Sequence, residues 1–415
     1  MMISQRKNIP LVRVKGFEGP WELCTLGEHI EDYVEKTTVQ NQYPVLTSSQ
    51  NKGIVRQEDY FANRQVTTDS NIGYFVLPKG FFTYRSRSDN GVFKFNRNDI
   101  VEKGIISYFY PVFSIVVGDS DFYLKLLNTS ITKQAMLQAE GTGQKVLSLR
   151  KFKSIKALVP SLAEQSAIGS LFLTLDDLLA SYKENLANYQ SLKATMLSKM
   201  FPKAGQTIPE IRLGRFKGEW EKVNLETSTV RLKSFSLSRD VETKENTGMR
   251  YIHYGDIHTG RASYINDENV LPYISQDLKI TEFLKKGDLI FADASEDYKG
   301  IAEVSLLAVD PKDNVIAGLH TIALRPNKNL VSTFLYYLFK TQTFRKYGYK
   351  VGTGMKVFGI SPTNLMKYEY YHPSLAEQQA IGSYFANLDN VIVAHREKIT
   401  QLETLKKKLL QDMFI

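Results

Sequence analysis

Cysteine is almost missing from this chain: Cys24 is the only one in 415 residues. No disulfide can form within one polypeptide, and a reducing cytosol is the expected compartment. Long apolar runs are missing too. No stretch of about 18 residues is apolar enough to span a membrane, and the opening MMISQRKNIP lacks the apolar core of a secretory leader. There is no G-x-x-x-x-G-K-[ST] loop to cradle ATP phosphates, and no two prolines are adjacent. The latter excludes the Asn-Pro-Pro-aromatic or Asp-Pro-Pro-aromatic run of adenine methyltransferases. A nuclease signature is reduced to a bare Glu-x-Lys at Glu242 to Lys244. His253, Asp256 and His258 imitate a metal cluster, but paired ligands of a zinc site are lacking around them, and no metal site is assigned.

What is present is a long internal repeat. PSLAEQSAIGSLF runs from Pro160 to Phe172, and PSLAEQQAIGSYF from Pro373 to Phe385. The copies keep a constant offset of 213 through LDDLL and LDNVI to Met200-Phe201 and Met413-Phe414. That period is far above the roughly 20–50 residues of a solenoid unit, so the chain is two half-molecules in tandem. Each is a globular part followed by a helix, which suits two domains of ordinary size.

In the first copy, Leu171, Leu175, Leu178, Tyr182, Tyr189, Leu192 and Met196 alternate steps of three and four, the pattern of a coiled-coil seam. The second copy offers Tyr384, Leu388, Val391, Leu402, Leu405 and Leu409, with His395 in the place of Tyr182. Asn185 and Lys398 fall at matching polar seam positions. Ser161 and Ser374 fit as N-caps of capping boxes completed by Glu164 and Glu377. About 38 residues at 1.5 Å each make a rod of roughly 57 Å. With one apolar seam per rod, pairing of the two within one chain is the economical arrangement.

Charge divides unevenly. Residues 161–203 and 373–415 are neutral, so the whole +9 lies in the globular parts. Residues 1–160 hold 21 Lys/Arg against 15 Asp/Glu, and 204–372 hold 23 against 20. Basic domains on neutral rods suggest a polyanionic partner.

Along the chain, PLVRVKGFEGPWE at 10–22 and PEIRLGRFKGEWE at 209–221 form a second repeat containing both tryptophans, Trp21 and Trp220. It reads as an edge strand and turn, with Phe17/Trp21 and Phe216/Trp220 packed on each domain. Leu26 to Lys36 reads as a short helix, Tyr43 to Val117 as short strands and turns, and Asp121 to Leu137 as a flanking helix. A third shared signal is GTGQKV at 141–146 and GTGMKV at 352–357; KSIKALVP and MKYEYYHP then read as exit strands. Residues 204–208 link the halves, further strands and turns follow, and Leu330 to Tyr347 reads as the counterpart helix. The middles of the halves, about 37–120 and 228–330, share almost nothing. The fold class is therefore α+β: two β-rich α/β domains and two long helices pairing as an antiparallel coiled coil, in pseudo-twofold tandem halves. The expected boundaries are 1–158, 159–206, 207–371 and 372–415.

Pro160 to Gln165 and Pro373 to Gln378, the Ile-Gly pairs that follow, the GTG-x-K loops and the F-x-G-x-W-E segments together resemble the specificity subunit of type I restriction–modification systems. The likeness covers essentially the whole chain. It implies that each globular part is a target recognition domain reading one half of a bipartite double-stranded DNA site, and that the helices set the gap. It further implies docking of two methyltransferase subunits that use S-adenosylmethionine, and of two restriction/translocase subunits that use ATP and Mg²⁺. This chain would bind no cofactor and perform no catalysis. A nuclease fused to its own recognition domains and a structural adaptor remain the alternatives.

Base reading needs Arg or Lys for guanine and Asn or Gln for adenine. In the first variable region, Arg85, Arg87, Ser88 and Asn90, flanked by Lys79 and Lys94, form the densest such run. In the second, Arg231, Lys233, Ser234, Ser236 and Arg239 do so, with Tyr254, Ser295, Tyr298 and Lys299 as further candidates. Gly143 and Lys145, and Gly354 and Lys356, belong to both halves, so they cannot encode two different half-sites. They suit backbone phosphate or the fold itself, because glycine lets main-chain amides approach an anion.

Overall fold

The computed structural model describes residues 8–61, 70–214, 216–275, 280, 282–296, 300–354 and 358–415. Met1–Lys183 with Glu397–Ile415 form one compact unit, and Glu184–Arg396 form the other. Each unit thus holds one globular domain together with half of each long helix.

In the first unit, Glu22–Thr25 pairs antiparallel with Lys156–Val159, joining the start of the domain to its exit. The FEGPWE segment is therefore a set of turns leading into a strand, rather than a strand itself. A four-stranded sheet has the order Ile30–Tyr33, Val112–Ile115, Phe82–Tyr84, Phe95–Arg97. The helix expected over Leu26 to Lys36 is absent: Leu26–Glu28 is one 3₁₀ turn and Ile30–Tyr33 is the sheet's edge strand. Pairing with Val112–Ile115 and burial of Ile30 override the local preference. Aromatic rings fill the core, with Phe82 stacked on Phe113 at 5.5 Å and Phe95 on Phe152 at 4.7 Å. A hairpin, Leu46–Ser49 with Gly53–Arg56, stands beside this sheet. The flanking helix is broken into Ser120–Leu127 and Ile131–Gln138, because the Asn128 side chain turns to bond the backbone of Phe95.

The second unit is built differently. Its five-stranded sheet runs Thr229–Leu232, Thr321–Pro326, Leu289–Ala292, Val304–Leu307, Tyr264–Ile265. A second sheet includes the parallel pair Met249–Ile252 and Asn314–Ala317. Glu221–Asn224 pairs with Glu369–His372, as their counterparts do in the first unit. Here too the flanking helix is split, into Ser332–Leu338 and Gln342–Val351, where Thr341 caps the second segment.

The shared motifs form one joint in each unit. Glu164 does not complete a capping box. Its carboxylate accepts two bonds of 2.7 Å from Arg13, while Ser161 accepts the Glu164 amide at 3.4 Å. Arg212 grips Glu377 in the same bidentate way. A buried carboxylate draws more from a guanidinium fork than from one amide. Gln165 accepts the Asp119 amide and donates to the Pro160 carbonyl; Gln378 accepts the Val331 amide and donates to the Pro373 carbonyl. Gly169 and Gly382 let the flanking helices dock closely, since a Cβ at Gly169 would lie 3.1 Å from the Phe122 amide nitrogen. Trp21, 1% exposed, packs on Phe122 and Phe414, and Trp220 packs on Phe334 and Phe201.

The long helices are Leu162–Lys199 and Leu375–Asp412, 38 residues each. In the first unit, the early part of one lies against the late part of the other: Asp176 binds Lys406, and Lys183 binds Glu403 at 2.6 Å. In the second unit, Lys193 binds Asp389 and Tyr189 meets His395 at 5.1 Å. The pairing is therefore antiparallel. The inward positions of the first helix are Ile168, Phe172, Leu175, Leu179, Tyr182, Leu186, Tyr189, Lys193 and Met196. Those of the second are Ile381, Phe385, Leu388, Ile392, His395, Ile399, Leu402, Lys406 and Leu409.

The expected seam needs correction at alternate steps. Leu178, Leu192 and Leu405 are exposed, and Leu171, Tyr384 and Val391 sit at the margin, one residue before Phe172, Phe385 and Ile392. Asn185 and Lys398 are also exposed; the seam lysines are Lys193 and Lys406, each satisfied by an aspartate. Adjacent apolar pairs such as Leu171-Phe172 and Leu178-Leu179 allow either phase, and packing against the partner helix chooses.

Candidate nucleic-acid interface

In the first domain the sequence run around Arg85 lines a concave cleft of about 510 Å³. Arg85, Arg87, Ser88, Asn90 and Lys94 all border it. Ser88 donates to Asn90 Oδ1 at 2.9 Å, and the Val92 amide donates to the same oxygen, which fixes the turn. Arg87 lies 4.5 Å over the Phe109 ring. Arg85 is exposed and has no ion-pair partner among the described residues. Lys94 is half-buried; desolvation, and after it the charges of Lys125 and Lys406, lower its proton affinity below that of an ordinary lysine. Lys79 is not part of the cleft: it sits in an exposed turn paired with Glu102 at 2.9 Å.

The opposite wall is one that sequence reading missed. Ser48, Ser49, Gln50 and Asn51 at the hairpin tip, with Tyr60 and Phe61, complete the cleft. Asn96 on the central sheet anchors that hairpin by donating to Ser48 Oγ and the Ser49 carbonyl. Gln50 and Asn51 carry the paired donor and acceptor that suit adenine, and two exposed aromatic rings offer stacking faces. Only their polarity in a turn could have marked them.

The shared loop joins this cleft directly. Lys145–Val146 pairs with Arg87–Ser88, Lys145 opposite Ser88, and Gln144 donates to Asp89 at 2.8 Å. Glu140 and Val146 close the loop with two backbone hydrogen bonds. Gly141 has a φ of 109°, and around Gly143 there is open space on the side a Cβ would occupy.

In the second domain the corresponding loop is closed between Thr353 and Gly359, with Gly354 at a φ of 134°. Phe358–Gly359 pairs with Ala294–Ser295. The segment that matches Arg87–Ser88 is thus Ala294–Ser295, rather than the Arg231–Arg239 run. Tyr254 stands nearby, its ring contacting His253, His258 and His320, while His258 Nε2 lies 2.8 Å from the Ala294 carbonyl. His320 has a φ of 52° and contacts Asp293 at 3.1 Å. Arg239 reaches this group through Asp256 but is also tied to Glu242. Arg231 lies on an edge strand opposite Leu324; Lys233 packs over Phe235, and Ser236 is exposed. Tyr298, Lys299 and Lys356 lie outside the described residues.

A family model described as type I restriction modification DNA specificity domain matches residues 21–188 and again 218–404. The chain is 24% identical over 294 residues to the type I restriction enzyme MjaVIII specificity subunit of Methanocaldococcus jannaschii, covering 70% of this chain and 67% of that relative. It is 26% identical over 149 residues to the MjaIX specificity subunit of the same organism, covering 36% and 32%. In fold it is similar to the S subunit of the type I restriction–modification system from M. genitalium. The TM-score there is 0.56 at 13% identity, over 98% of this chain and 99% of that one.

Proposed function

Because the chain belongs to the type I restriction–modification DNA specificity family, with two such domains in tandem, we propose that each domain reads one half of a bipartite DNA site. Residues 1–158 and 207–371 are the readers, and the helical segments 159–206 and 372–415 set the gap between half-sites. Specificity subunits of this family are generally non-catalytic. Chemistry comes from partners: two methyltransferase subunits carrying S-adenosylmethionine, joined for restriction by two translocase subunits using ATP and Mg²⁺. The cytoplasm is where such a complex would work. Among the described residues, no helix is long and apolar enough to cross a membrane.

The observation that carries the reading is the first-domain cleft. It gathers Arg85, Arg87, Asn90, Gln50 and Asn51, the residue types that read base edges, beside a loop shared by both halves. Phosphate contacts fix position while base contacts specify, and the division between shared and unlike residues follows that line. Sequencing adenine methylation in DNA from cells with and without this chain gives the motif. Arg85→Ala should then cost about 1–3 kcal/mol and relax one position. Lys145→Ala should weaken all sequences alike and lower the salt slope by about 0.9. Full affinity and an unchanged slope in both variants would remove the cleft from DNA recognition.

A further inference from the structure

Base reading by the first domain leaves a group of lysines unexplained. Lys94 borders the cleft and has no hydrogen-bond or ion-pair partner among the described residues. Its neighbour Phe95 exchanges backbone hydrogen bonds of 3.1 and 2.8 Å with the Asn128 side chain. The next residues, Thr129 and Ser130, form one wall of a second groove of about 600 Å³. The helix pair forms the other wall, presenting Lys183, Lys406 and Lys407. The cleft and the groove share no lining residue; the Phe95–Asn128 contact links the strand that follows Lys94 to the turn that walls the groove.

Charge in this groove exceeds what the fold uses. Lys125 and Lys406 share Asp176, and Lys183 takes Glu403. Lys94 and Lys407 have no carboxylate partner among the described residues, so in and around the groove Lys94, Lys125, Lys183, Lys406 and Lys407 have Asp176 and Glu403 between them, and three of the lysines line the groove itself. The same frame in the second unit does without this excess. There Lys193 keeps its aspartate, but the Tyr337 hydroxyl stands where Lys125 would, and the positions matching Glu403 and Lys407 are Gln190 and Ala194. A helix pair that folds with Ala194 does not need Lys407 for its stability. Of the groove's apolar members, Leu179 and Phe414 are buried in packing and Leu410 is partly exposed. The Ser130 hydroxyl is buried behind the wall and has no hydrogen-bond partner among the described residues.

We infer that this groove holds the sugar–phosphate backbone of the duplex continuing beyond the first half-site, so that the helix pair grips DNA without reading it. This inference rests on the first domain being a DNA reader. Each lysine neutralising a phosphate releases a counterion, which sets the salt dependence.

The test uses the full chain co-expressed with its methyltransferase subunits and a 60-bp duplex carrying the motif found by methylation sequencing, titrated over a series of NaCl concentrations. Lys183→Ala/Lys407→Ala should flatten the slope of log affinity against log salt by about 1.8, and Lys407→Ala alone, which leaves the Lys183–Glu403 pair intact, by about 0.9. Thermal melts identify any loss that comes from unfolding, and the single variant then decides. An unchanged slope in both variants, with Arg85→Ala/Arg87→Ala still weakening binding, overturns the groove but leaves the reader in place. An unchanged slope together with loss of the methyltransferase subunits on purification overturns it in favour of a protein dock. No effect from any variant, the arginines included, removes the DNA reading itself.

Discussion

Replacing Arg13 by alanine strips both hydrogen bonds from the Glu164 carboxylate, which is 1% exposed. Among the described residues nothing else donates to that carboxylate. Breaking a buried pair by deleting one partner costs about 3–5 kcal/mol. The variant should therefore lose about 3–5 kcal/mol. Urea unfolding followed by far-ultraviolet circular dichroism measures this, with the two units allowed separate transitions. Adding Glu164→Gln should recover most of the loss, because an amide leaves no unpaired charge behind. A loss below about 1 kcal/mol would refute the claim that this arginine seals the joint.

Gly169→Ala places a Cβ 2.5 Å from Asp119 Oδ1 and 3.0 Å from Asp121 Cβ, so the docked helix must move, at about 1–3 kcal/mol in thermal melts. Leu179→Ala should cost about 2–4 kcal/mol because the side chain is 7% exposed, whereas Leu178→Ala, at 38%, should cost under about 1 kcal/mol. Equal losses would return the seam to the other phase. His253 has its proton affinity lowered, first by burial and then by the Arg239 charge. The unfolded chain therefore protonates there before the folded one, and the second unit should lose stability as pH falls through about 6.5. His253→Asn should flatten that part of the stability–pH curve.

The tandem plan was legible because a repeat is a one-dimensional property: a 38-residue helix, an N-capping serine and a single tryptophan recur once in each half at fixed offsets. Helix phase was not legible, since Leu178 and Leu179 are equally apolar and only the facing helix separates them. Ile30–Tyr33 misled for a similar reason, because its partner strand lies some eighty residues away. In the cleft, the charged run Arg85 to Lys94 could be read directly, but Gln50 and Asn51 could not. Their place beside Arg85 depends on a hairpin held by Asn96, and nothing local encodes that.

Sequence by itself thus determined the number of halves, the existence of paired helices and the family to which the frame belongs. Each follows from residue order and period alone. Tertiary structure decided which leucines face inward, that Arg13 and Arg212 close on Glu164 and Glu377, and that each shared loop meets a variable strand. Those outcomes join residues far apart in the chain, and they are fixed by burial and hydrogen-bond satisfaction, which only the folded arrangement can evaluate.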